Sequence, residues 1–160
     1  MAIEIIEESI KQLFYRQLYT SVISIMETYL SDAFINTVID SKDNLERFYK
    51  TFKGFEKQNI PIANIFEFER KVEPYAKKAM LDVNYHNLPK VSKMYKDTLS
   101  INFSYFDEIY KYVLKRHDFV HRNGKDKDGN VVFLNSNMLI KLVKDIRMFV
   151  VEIDNQIPKR

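Results

Sequence analysis

The chain is predicted to fold as an all-α bundle, with four main helices and shorter accessory ones. Three observations predict it. Apolar residues recur at three- and four-residue steps along most of the sequence. Only 3 glycines and 4 prolines punctuate 160 residues, too few turns for a sandwich or barrel. Hydrophobic residues make up 46% of the chain, which suits one well-buried core and a single domain over residues 1–160.

From Ile3 to about Val38, the residues Ile6, Ile10, Leu13, Val22, Ile25, Met26, Tyr29, Ala33, Phe34 and Val38 trace one long amphipathic helix, or two joined by a slight bend. Ser41 or Asp43 can cap a second helix carrying Leu45, Phe48, Tyr49, Phe52 and Phe55, which Gly54 and the Ile60-Pro61 break bring to an end. Residues 62–82 read as helix again, with Pro74 starting a new turn or kinking the old one. A short helix follows over Pro89 to Leu99. The next runs from about Ser104 to Arg122, with Gly124 placed for a C-terminal cap of positive φ and residues 125–130 forming a polar turn. Val131 to Leu134 read as briefly extended. Ser136 or Asn137 then caps a final helix that stops near Pro158.

Cysteine is absent, so no disulfide framework or thiolate metal site can form. The first residues are acidic where a secretion signal carries basic ones, and no apolar run is read as reaching the length of a membrane span. A cytoplasmic location with no membrane partner is the expectation. The balance of 25 Lys+Arg against 22 Asp+Glu gives a mild net charge of +3. Its distribution is more informative, because Lys111, Lys115, Arg116, Arg122, Lys125 and Lys127 gather near one helix end. They suit a polyanion, or serve as solvated cations that offset the helix dipole.

Within that cluster stands Arg116-His117-Asp118-Phe119-Val120-His121-Arg122-Asn123-Gly124, holding two of the chain's 3 histidines. Imidazoles move protons near neutral pH and a guanidinium grips phosphate in a planar, multidentate fashion, a combination suited to phosphodiester chemistry. On an ideal helix Phe106, Ile109, Tyr110, Val113, Leu114 and Val120 form one apolar stripe, with His117 near its middle and His121 at one edge. Arg116 falls at the other edge, about 140° from His121. The two converge on one ligand if the helix loosens at its end, or if a second copy packs on the stripe.

Blander readings accompany each residue. His117 suits a core histidine, Arg116 an ion pair with Asp107, Glu108 or Glu27, and His121 a helix-terminal cation. His117 and His121 flanking Asp118 also imitate a zinc-protease pattern, but Asp is shorter than the usual glutamate and no third ligand stands at a recognisable offset. His86 is placed to cap or pack at a helix start, and the aromatic residues at helical spacing are read as core. Asp126 and Asp128 lack the further acidic ligands of a calcium loop.

Arg116, four intervening residues and His121 on a late helix match the R-x4-6-H signature, and the longer string through Lys125 resembles bacterial stand-alone members of the HEPN superfamily, the RiboL-PSP-like branch among them. Residues 85–91 and 27–32 resemble further segments of those stand-alone members, the latter their first-helix segment. The resemblance implies a HEPN-like four-helix core, homodimerisation through the motif helices and, in active members, metal-independent endoribonuclease activity without any cofactor. Many active members are toxins or antiviral effectors, which implies RNA or a nucleotide as ligand and an antitoxin or other defence-system protein as partner. Arg116 and His121 are then the catalytic pair. His117 takes the place of a residue that is often Asn in active members, and is carried as a third catalytic candidate. Arg122, Asn123 and Lys125 are carried as candidate RNA- or phosphate-binding residues, although the resemblance itself transfers no role to Arg122 or Asn123. A catalytically silent HEPN module binding nucleotides or a protein partner is the alternative.

Overall fold

The computed structural model describes residues 2–55 and 60–158. It is all-α: among these residues there are six α-helices and one short 3-10 turn, and the sole β-pairing is an isolated antiparallel bridge between Lys125 and Val131. Contacts divide the chain into two compact units, Met1–Glu27 with Ser104–Glu152, and Thr28–Phe103 with Ile153–Arg160.

The first helix, α1, runs unbroken over Ala2–Ile39, the single long helix of the two alternatives. Its apolar residues do not all face inward. Tyr19, Ile23, Met26, Leu30, Phe34 and Val38 are buried, whereas Ile6, Ile10, Leu13 and Ile25, expected on the same buried stripe, are exposed. Contrary to the sequence reading, the stretch Ile6–Ile39 is long and apolar enough to cross a membrane by length and composition. In this fold its second half packs as a core helix.

The second unit holds α2 (Lys42–Thr51), the 3-10 turn Ile62–Asn64, α3 (Ile65–Leu81) and α4 (Leu88–Leu99). Ser41 caps α2, its Oγ accepting from the Asn44 N–H at 3.3 Å. The helix stops at Thr51, earlier than expected, and Phe52 and Phe55 close back on Phe48 from the turn beyond, with ring centroids 4.8 and 5.8 Å away. The expected break holds: Gly54 lies in a turn, and Ile60 and Pro61 are non-helical ahead of the 3-10 turn. Pro74 is accommodated inside α3. Asn87 caps α4, accepting from the Lys90 N–H at 3.2 Å, while His86 stays exposed before it. The core of this unit centres on Phe34 between Phe48 and Tyr95, and the Tyr95 hydroxyl donates to the Leu30 carbonyl at 2.6 Å.

The first unit packs the N-terminal part of α1 with α5 (Phe106–His121) and most of α6 (Ser136–Gln156). Tyr19 meets Phe119 edge to face at 4.9 Å, and its hydroxyl donates to the Tyr112 carbonyl at 3.2 Å. The α6 cap is Asn135, whose side chain accepts from the Met138 N–H at 2.9 Å, and not Ser136 or Asn137.

Candidate functional site

The candidate site is the end of α5 and the loop that follows it. The helix stays regular through His121, and the Arg122 N–H still reaches the Asp118 carbonyl at 3.0 Å. Asn123 and Gly124 then both turn left-handed, with φ of 51° and 78°. The Gly124 N–H closes on the same Asp118 carbonyl at 3.2 Å, a glycine C-cap of the expected kind. Beyond it the chain makes a tight loop closed by the antiparallel bridge of Lys125 and Val131, with Val132 donating to the Gly124 carbonyl at 2.9 Å.

Asp126 organises that loop. Its carboxylate accepts the N–H groups of Asp128 and Asn130, each at 2.9 Å, and the Asn130 amide at 3.2 Å. These bonds, the Asn130 backbone first among them, hold its carboxyl below the usual aspartate range. The Asp126 carboxylate is thus accounted for by the turn's own geometry.

The apolar stripe read along α5 is split. Ile109, Val113 and Phe119 are buried and Arg116 is half-buried, so the core face lies on the Arg116 side of the helix. Leu114 and Val120, expected in the stripe, are 51% and 46% exposed. His117 is exposed as well, which overturns its reading as a core histidine. One turn apart, His117 and His121 place their ring centroids 4.5 Å from each other at an interplanar angle of 42°. Arg122 is exposed and forms an ion pair with Asp118; Asn123 and Lys125 are exposed on the turn. The fold therefore brings the two imidazoles together beside the Arg122 turn and leaves Arg116 on the other side of α5. Among the described residues no three His, Asp or Glu side chains gather as a metal-binding group.

No family model, curated protein or solved structure matches this chain.

Two features of this unit escaped the sequence reading. Arg16 on α1 donates from Nη1 to the Asn123 carbonyl at 3.1 Å, and Gln12 holds Leu134 through both of its amide atoms, at 2.9 Å each. Both contacts span more than a hundred residues of sequence, so no local pattern announces them. A second polar group joins α5 to α6, where Tyr112 and Lys141 both donate to Asp145 at 2.6 Å. Burial pushes the Asp145 carboxyl up, but the Lys141 and Tyr112 hydrogen bonds outweigh it and the net direction is down. The tyrosine responds oppositely, raised by burial and by the carboxylate it donates to. The group is a helix-to-helix tie, since its polar atoms are spent on each other.

Proposed function

We propose that this chain is a metal-independent endoribonuclease, or an RNA-binding protein, of HEPN type with a HEPN-like four-helix core. It acts as a homodimer with a composite Arg/His site, as a cytoplasmic toxin or antiviral effector partnered by an antitoxin or other defence-system protein. The observation that carries the reading is the pair of solvent-open imidazoles, His117 and His121, next to a turn bearing Arg122, Asn123 and Lys125.

Cleavage by the ribose 2′-OH needs a base at that hydroxyl, a cation on the charged phosphorane-like transition state and an acid at the departing 5′-oxygen. The 2′-oxygen gives up its proton and bonds to phosphorus, the P–O5′ bond breaks, and the 5′-oxygen takes a proton. The products are a 2′,3′-cyclic phosphate and a 5′-hydroxyl. His121 serves as acid or base, with His117 beside it, and Arg116 clamps the phosphate. DNA is spared because it lacks the 2′-OH. Regular helix through His121 supports a composite site: Arg116 and His121 stay on different sides of α5, and a second copy on the exposed Leu114 and Val120 supplies the complementary group.

The test is incubation of purified protein with mixed RNA in EDTA, beside Arg116→Ala and His121→Ala, with analysis of the product ends. Cyclic phosphates from the unaltered protein alone are the expected result. If clean dimeric protein leaves varied RNAs intact, the catalytic reading falls in favour of a silent HEPN module that binds nucleotides or a protein partner. The half-buried Arg116 and the engagement of Arg122 by Asp118 are what favour that second reading.

A further inference from the structure

We infer that Arg16, on the opposite helix and outside the motif, is a positioning residue for the motif turn, an inference that rests on the ribonuclease reading above. The loop 123–134 is strapped to α1 at both ends. Arg16 holds its start through the Asn123 carbonyl at 3.1 Å, and Gln12 holds its end through the N–H and carbonyl of Leu134. Gln12 and Arg16 are four residues apart, so the two straps leave the same face of α1.

The first strap also explains the glycine of the motif. A Cβ built on Gly124 would lie 2.5 Å from both Nε and Nη1 of Arg16, so the guanidinium occupies the space that any side chain would need. The positive φ of 78° at the same residue adds an independent reason for glycine. The Nε of Arg16 is buried with no hydrogen-bond acceptor, a cost accepted in keeping the planar group flat against the turn. Asn123, a non-glycine residue at a φ of 51°, has its carbonyl aimed at Nη1. The direction in which the chain leaves His121 and presents Arg122 and Lys125 is thus set from α1.

A positioning role makes distinct demands. Arg16→Ala should lower kcat for RNA cleavage about tenfold or more with KM little changed, because misplacement penalises the transition state and not uniform binding. Arg16→Lys keeps the charge but loses the planar fork, and should not rescue. Gly124→Ala should match the loss, and Arg16→Ala combined with Gly124→Ala should be no worse than Gly124→Ala alone, since the collision is gone. Full-chain NMR supplies a readout independent of catalysis: Arg16→Ala and Arg16→Lys should both move the amide resonances of Arg122 to Lys125 and the His121 imidazole signals. Unchanged turn resonances, or unchanged kcat in an active protein, overturn the inference. Rescue by Arg16→Lys, or a loss confined to KM, would make Arg16 a charge contact for RNA and overturn it equally. If the unaltered protein cleaves no RNA while the turn resonances still move, the ribonuclease reading fails and the hold of Arg16 on the turn stands.

Discussion

His117 and His121 sit one turn apart on the exposed side of α5, yet the chemistry assigns them unequal weight. Removing a general acid or base costs on the order of 10²–10⁴ in rate. His121→Ala should therefore lower cleavage by about 10²–10⁴-fold, and His117→Asn should lower it less, since an amide keeps a polar neighbour beside His121 but moves no proton. Equal losses in a product-end assay would assign the proton transfer to the pair. Gln12 matters for a different reason. It is 6% exposed, and Gln12→Leu strips the N–H and carbonyl of Leu134 of their side-chain partners. A loss of about 2–4 kcal/mol in urea unfolding is expected, one desolvation penalty for each abandoned group.

The loop after α5 is built on a carboxylate. Asp126 is held below the ordinary aspartate range by its loop hydrogen bonds, so its charged form belongs to the folded loop. The sign follows: the contribution is fully present above the unfolded aspartate pKa of about 3.9 and is lost as pH falls through the lower folded value. The Asp128 and Asn130 amide resonances should shift together on acidification through that window, and Asp126→Ala should remove the transition. Helices were far more legible than this loop. Residues at three- and four-step spacing lie within a few positions of each other in sequence, so the order of α1 to α6 and most of their ends could be read directly. The Asn135 cap and the early stop of α2 were not, because several polar residues in a row can each serve a helix end and side-chain geometry chooses among them.

Dimerisation is the prediction that belongs to the chain as an assembly. Sedimentation at micromolar concentration should give twice the 19.1 kDa chain mass. Leu114→Lys on the exposed part of α5 should weaken both association and RNA cleavage while leaving the monomer folded, since that side chain is 51% exposed. A strict monomer that still cleaves RNA would remove the composite site and place all the chemistry on one α5.

Helical class, helix order and the cluster of Arg and His at the end of α5 follow from residue spacing and residue type, which act over a few positions and leave their mark in the linear order. The side of each helix that is covered does not. Ile6, Ile10 and Leu114 carry the same apolar signal as Ile23, Leu30 and Ile109, and burial separates them because it depends on which other segment arrives to cover them. The same holds at the candidate site. Phe119 turns inward onto Tyr19, His117 is thereby left in solvent beside His121, and the motif turn is fastened by Arg16, 107 residues away. Such contacts come into being when distant segments pack, and local periodicity carries no record of them.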